Sequence, residues 1–454
     1  MKIIPVKYIA DSSEYFERIK DIEGAVYLDS CSENSSYGRY DIISAAPIET
    51  IISKNNETSI ITKEQTKTIT GNPFAILQKQ LNKYQFADST ESPFSGGAIG
   101  FFSYDLCRTT ENIPSITQDD IHLPLMYIGI YTWALVTDHH RKETKLITHK
   151  TDSETEEILR KLTTEITTRQ ETFTATNINW NQNYKDYRQA LSKIKNYITN
   201  GDCYQVNYSQ RISVDFSGSS WALYKQLRKH NPAPYSAYLK TEYGDILSSS
   251  PEQFLSVKDS LVTTKPIKGT IKRSKNAYID QQLANTLRNS QKNQAENLMI
   301  VDLLRNDIGK AAEIGSIKVE KLFDIESFEG LHHLVSTITA KLPPKTNAVQ
   351  LLKACFPGGS ITGAPKIRAM EIIEELEKYR RNIYCGTIGY IGFNGNMDTN
   401  IAIRTSVINN NKLYYNAGGG IVADSDIEEE FKEMHTKTYV FISQIKNRTN
   451  TTKK

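Results

Sequence analysis

No stretch of this chain stays apolar long enough to cross a bilayer. The N-terminus, MKIIPVKYIADSSEYF, breaks its short apolar run at Pro5 and Lys7, so neither a membrane span nor a secretory signal is expected. Cysteine is scarce. The five present (Cys31, Cys107, Cys203, Cys355, Cys385) are odd in number, scattered and without CxxC spacing, which points to reduced thiols in a cytoplasmic protein rather than a disulfide framework or a zinc site. An excess of either charge is also missing. Lys and Arg number 55 against 52 Asp and Glu, which leaves no electrostatic footprint for nucleic acid. With 39% hydrophobic and 24% charged residues over 454 positions, the chain is too apolar for disorder and long enough for one large core or two medium ones. No repeat at solenoid period is present, and the C-terminal KNRTNTTKK reads as a frayed, solvated end.

What is present is a mixture of short strands and helices. GAVYLDS, GGAIGFFSYD, MYIGIYTWALVTDHH and KLITHK read as strands and DSETEEILRKLTTEI as a helix. The polar, Thr-rich TTRQETFTATNINWNQN is unpatterned and suggests a boundary between an N-terminal region, 1–170, and a C-terminal region, 180–447. Next, Tyr184, Tyr187, Leu191, Ile194 and Ile198 recur at helical spacing and end at Asn200-Gly201, a left-handed stop signal. CYQVNYSQRISVDF alternates as a strand, with Val206, Tyr208, Ile212 and Val214 on one face and Gln205, Asn207, Ser209 and Arg211 on the other. A wholly polar face lies against water or lines a polar cleft, with water the default. GLHHLVSTITAKL, CGTIGYIGF and TNIAIRTSVIN read as strands, AENLMIVDLLRNDIG and PKIRAMEIIEELEKY as helices. Without a βαβ rhythm, the expected fold is α+β with mainly antiparallel sheets.

Several residues could carry chemistry. In DIEEEFKEMHTK, Glu430 and Glu433 project from one helical face. Glu296 opens a helix expected to bury Leu298, Met299, Val301 and Leu303. Carboxylates from two helices, with waters and an anionic ligand, are what Mg²⁺ takes, although acidic runs more often form solvated faces. FPGGSITGAPK and AGGGIVADS each run into a helix and could offer backbone N–H groups to an anion. The first is not a P-loop, because Ala-Pro follows Gly363. Within TTKPIKGTIKR, Pro266 and Gly269 constrain the bend around Lys268. A lysine there is either a solvated charge or, once desolvated, an amine able to attack.

Taken in order, SPEQFL, PIKGT, AENLMIVDLLRNDIG, HHLVSTI, FPGGSITGAPK, GYIGF, IRT and GGGIVADS resemble the chorismate-utilising enzymes: the anthranilate, aminodeoxychorismate, isochorismate and salicylate synthases. Those motifs cover about residues 180–445, and GGAIGFFSYD and GIYTWALVTDHH extend the likeness toward the N-terminus. The resemblance implies a large two-subdomain sandwich of antiparallel sheets flanked by helices. Gln205 stands where the water-adding members have lysine, which is similar to the ammonia-using branch. PIKGT resembles the aminodeoxychorismate synthases, where anthranilate synthases, the alternative, typically read PIAGT. The implied reaction converts chorismate and ammonia into 4-amino-4-deoxychorismate for 4-aminobenzoate and folate.

By the same resemblance Lys268 is a covalent nucleophile, Glu252 a general acid and His333 an active-site histidine. Mg²⁺ is implied at Glu296 and Glu433, with Glu430 bound directly or through water. Gln205, Tyr390, Arg404, Gly419 and Lys437 are implied around the substrate, with Thr270 and Thr362 flanking it. A glutaminase nucleophile turn, Gly-x-Cys-x-Gly, is missing, so a separate glutamine amidotransferase partner is implied. YLDSCSENSSYGRYDII and NPAPYSAYL resemble the family's tryptophan-holding segments through Ser30, Tyr40, Pro234 and Tyr235. The chain departs from the family pattern at Asn293 and Gln294, usually Asp-Arg, at Met434, usually threonine, and in LDS, where the feedback pattern has Leu-Glu-Ser.

Overall fold

Alternation along the strands sets the architecture. On neighbouring strands Val26, Ile42, Ala134, Val136, Ala237, Leu239 and Ile246 belong to one buried cluster, whereas the intervening Tyr27, Ile43, Leu135, Tyr238 and Leu247 belong to another. Successive side chains therefore feed opposite faces of the same sheet. The computed structural model describes residues 1–31, 38–84, 86, 91–150, 153–164, 171–327 and 330–446. The expected C-terminal tail falls outside them after Lys446, as does part of the segment around Ser30.

Among the described residues two 12-stranded antiparallel sheets result, and each takes strands from both sides of residue 170. In the first, Val26–Asp29 pairs with Tyr235–Thr241. In the second, Gly97–Phe102 pairs with Thr387–Gly392. The inter-sheet core gathers Phe94, Ile99, Phe101 and Ile388 against Val26, Ala134 and Leu239. Helices cover the outer faces. Tyr184–Thr199, Ser220–His230, Lys366–Leu376 and Ile427–Lys446 pack on the first sheet. Pro73–Leu81, Gln291–Gly309 and Ala348–Cys355 pack on the second. No helix among the described residues is long and apolar enough to cross a membrane.

Four local expectations change. Phe173–Trp180, read as an unpatterned boundary, is a strand paired with the Gln205–Gly218 strand, and it buries Phe173 and Ala175. Its Thr and Asn residues belong to the exposed face. The polar face of the Gln205–Gly218 strand is not turned to water: Gln205, Asn207, Ser209 and Arg211 are all buried, each near a polar partner or the cleft. The Gln291–Gly309 helix buries Asn297, Ile300, Val301, Leu304, Asp307 and Ile308, while Leu298 is exposed. A stripe at 297, 300, 304 and 308 has the same helical period, rotated by one position. Arg404, expected within a strand, precedes the strand Thr405–Asn409 with φ of 50°.

Candidate functional site

The candidate cleft lies where elements of both sheets meet. Gly363–Ala364 forms a two-residue strand against Gln205 and Val206. Gly363 permits this approach, since a Cβ there would lie 2.1 Å from the Gln205 carbonyl and its φ is +142°. Around this junction stand the Ser360–Thr362 loop, the strands Ile267–Lys272 and Leu331–Lys341, and the helices that begin at Gln291 and Ile427.

Lys268 lies in the strand Ile267–Lys272, and its Nζ donates to the Ser360 carbonyl at 3.3 Å. Burial lowers its pKa below the ordinary lysine value, against the pull of Glu296 and Glu252. Glu252 is buried. That burial raises its pKa, with Lys268 and the Ser360 side chain working the other way. Burial thus moves the amine and the acid toward each other on the pH scale. His333 Nδ1 lies 2.8 Å from the Thr270 hydroxyl. Burial, reinforced by Arg404, lowers its pKa to about 4, so it is a neutral imidazole at physiological pH.

The acidic side is built by two helices. Glu296 is raised by burial, with Glu433 adding to the rise. Glu430 is also raised by burial, although it accepts from the Ser425 hydroxyl at 2.7 Å. For Glu433 burial is outweighed by Lys437, 2.8 Å away, and its pKa falls. Among the described residues no group of three or more His, Cys, Asp or Glu is arranged to hold a metal ion. The hard oxygen donors of Glu296 and Glu433, the second adding to the rise of the first's pKa, suit a cation that takes its remaining ligands from water and a bound anion.

Lys437 stands beside these carboxylates and Arg404 beside His333. Arg404 has its pKa lowered by burial, and no carboxylate pairs with it among the described residues. Lys437 Nζ also donates to the Gly418 carbonyl at 3.1 Å. A Cβ on Gly419 would stand 3.3 Å from Glu430 Oε2 and 3.7 Å from Lys437 Nζ, so bare backbone borders both. Gln205 is fully buried, and neither Oε1 nor Nε2 finds a hydrogen-bond partner among the described residues. A buried amide normally has one, in protein or in ordered water. A Cβ on Gly420 would fall 2.2 Å from Gln205 Nε2. Gly420→Ala is therefore expected to displace that amide and cost about tenfold or more in kcat, with the melting temperature little changed. Steady-state kinetics beside a thermal melt checks this.

Two expected site residues behave differently. The Thr362 hydroxyl donates to the Gly358 carbonyl at 3.0 Å and serves the loop's own geometry. Tyr390 lies apart from the cleft. It lines an inter-sheet cavity with Leu28, Asp29, Tyr40, Pro234, Tyr235 and Asp398, because strand alternation turns it toward Phe94, 5.2 Å away between ring centroids. Three of the four residues matched to a tryptophan site meet in that cavity. Ser30 sits beside it, its N–H and hydroxyl both donating to Asp41 Oδ1 at 2.8 and 2.7 Å. Sequence reasoning missed Asp398, whose carboxyl burial pushes up to about 7. It also missed Ser360, whose carbonyl, a group every residue has, meets Lys268.

A family model described as chorismate binding enzyme matches residues 23–443. Aminodeoxychorismate synthase component 1 of Escherichia coli (strain K12) is 45% identical over 448 residues, 98% of each chain. The protein of the same name in Bacillus subtilis (strain 168) is 38% identical over 419 residues, 90% of this chain and 89% of that one. Anthranilate synthase component I from Streptococcus pneumoniae TIGR4 matches in structure with a TM-score of 0.80 at 32% identity, covering 88% of this chain and 92% of that one.

Proposed function

Because this chain belongs to the chorismate binding enzymes, we propose that it makes 4-amino-4-deoxychorismate from chorismate and ammonia, with Lys268 as a transient covalent catalyst. The observation that carries the reading is the placement of Lys268 and Glu252, whose pKa values burial shifts in opposite directions, on a common Ser360. Anthranilate synthase is the alternative, since enzymes of that name are also relatives.

In this reading Arg404, Lys437 and the backbone at Gly419 hold the substrate's carboxylates. Glu296 and Glu433, with Glu430 beside them, would hold Mg²⁺, which would supply Lewis-acid charge. Lys268, as the free amine, forms a bond to C2 while the double bonds shift and the C4–oxygen bond breaks. Glu252 gives the departing oxygen a proton, so water leaves. Ammonia then bonds to C4, the double bonds shift back, and the C2–nitrogen bond breaks to release Lys268. The proton shed by the incoming nitrogen reloads Glu252. Two displacements place nitrogen para to the ring carboxylate, where a single one places it ortho. His333, neutral and tied to Thr270, stands beside Arg404.

The relatives' designation as component 1 supports a partner component, which we assign as a glutamine amidotransferase delivering ammonia. Tryptophan is assigned to the inter-sheet cavity on the match of Tyr40, Pro234 and Tyr235. The deciding experiment incubates the purified chain with chorismate, Mg²⁺ and ammonium, and separates the products by liquid chromatography with mass detection. A product that a lyase converts into 4-aminobenzoate is expected. Fluorescent 2-aminobenzoate would establish the anthranilate alternative, and no turnover would refute both.

A further inference from the structure

The chemistry assigned to the cleft leaves out its most heavily bonded cation. Arg381 follows the helix Lys366–Leu376, and its side chain is only 1% exposed. Its Nε and Nη2 donate to the two Glu377 oxygens at 2.9 and 2.7 Å. The remaining donors go to backbone: Nη1 to the Ile361 carbonyl at 2.9 Å and Nη2 to the Asn207 carbonyl at 2.7 Å. Glu377 Oε1 in turn accepts from the Ser209 N–H and hydroxyl at 2.9 and 2.8 Å. The Tyr104 ring lies 4.9 Å from the guanidinium carbon.

These acceptors belong to the two segments that wall the cleft. Asn207 and Ser209 share a strand with Gln205, and Ile361 sits beside Ser360, the residue that meets Lys268 and Glu252. The Asn207 N–H donates to the Thr362 carbonyl at 2.8 Å, so strand and loop are joined directly as well as through the guanidinium. A buried ion pair is a poor device for stability, because desolvation consumes most of its Coulomb gain. A planar fork of fixed donors is a good device for holding two backbone segments in register, and an ammonium cannot span the same acceptors.

We propose that Arg381, oriented by Glu377, is a positioning residue that holds the Ser360–Thr362 loop against the Gln205 strand and so sets where the Lys268 amine stands. The chemical consequence rests on the function proposed above, whereas the geometric one does not. The test therefore uses two readouts on the full chain. The first is kcat and KM for chorismate with ammonium in Arg381→Lys. The second is acetylation of Lys268 by acetic anhydride, followed by peptide mass spectrometry and normalised to an exposed lysine, which needs no turnover.

With its loop loosened, Arg381→Lys is expected to lose about tenfold or more in kcat while KM changes less than about threefold, since the carboxylate-holding groups lie on other elements. Lys268 labelling is expected to rise about threefold or more as its carbonyl partner moves away. Circular dichroism and a thermal melt confirm that the variant is folded. Glu377→Gln, which keeps the side chain's length and shape, takes its place should the lysine variant fail to fold. Unchanged labelling and unchanged kcat in a folded variant overturn the proposal, as does a KM effect without a kcat effect. If wild type gives no product, the functional reading fails, and the labelling still decides whether Arg381 positions Lys268.

Discussion

Replacing Lys268 with alanine is expected to lower 4-amino-4-deoxychorismate formation by about a thousandfold or more, the scale on which losing a covalent nucleophile registers. The fold should survive. Lys268 donates one hydrogen bond, to the Ser360 carbonyl, and its ammonium form is disfavoured by burial, so little is lost when it goes. Chorismate binding should persist, because Arg404 and Lys437 are untouched. The measurement is product formation with ammonium, next to chorismate affinity by calorimetry. A variant that retains wild-type para-amination would remove the covalent step from the mechanism.

The same pair predicts the pH profile. The reactive form needs Lys268 neutral and Glu252 protonated. Burial lowers the first pKa and raises the second, which enlarges the fraction of molecules in that form. Activity should rise with pH as the lysine loses its proton and fall again as the glutamic acid loses its own, giving a bell whose apparent pKa values belong to the coupled pair. In Glu252→Gln the alkaline fall should disappear, because the remaining titration only frees the amine. A profile that still falls at high pH would assign the acid to another group.

Glu296→Gln should cost about a hundredfold or more in Mg²⁺-dependent turnover, with the loss only partly recovered by added Mg²⁺. Its effect on the metal-free fold runs in the opposite direction. Burial, with help from Glu433, raises the folded-state pKa of Glu296. A group with a raised folded pKa binds protons more readily in the native state, so its ionisation subtracts stability as pH climbs from the unfolded carboxylate range through the folded pKa. A neutral glutamine avoids that cost. The melting temperature of the metal-free variant at neutral pH should match or exceed wild type, and Mg²⁺ should raise it less than it raises that of wild type. A variant that melts well below wild type without metal, yet keeps its Mg²⁺ response, would show that Glu296 holds structure and not a cation.

Much of this site was readable because its groups recur at fixed offsets. Glu430 and Glu433 fall on one side of the Ile427–Lys446 helix as helical period requires. Gly363 and Gly420 stand where a Cβ would collide with Gln205. The polar alternation of the Gln205–Gly218 strand was plain, yet its environment was not. An exposed polar face and a buried one have the same pattern, and partners far along the chain, Glu377, Arg381, Thr362 and Asp120 among them, make it an interior face. Leu298 and Tyr390 teach the same lesson. Each has the residue type of a core or site position, and a rotation of one helical step or one strand residue sends it elsewhere.

Local sequence was thus enough for many of the element types, though not for the strand Phe173–Trp180, and for the antiparallel α+β class and the motif order that places the chain among the chorismate binding enzymes. Periodicity and turn chemistry act over a few residues, and those signals survive in one dimension. Folding in three dimensions was needed to bring Lys268, Glu252 and Ser360 together, to leave Gln205 without a partner and Arg404 without a carboxylate among the described residues, and to part Tyr390 from them. Desolvation and hydrogen-bond satisfaction depend on what surrounds a group on every side, and most of those surroundings come from distant parts of the chain.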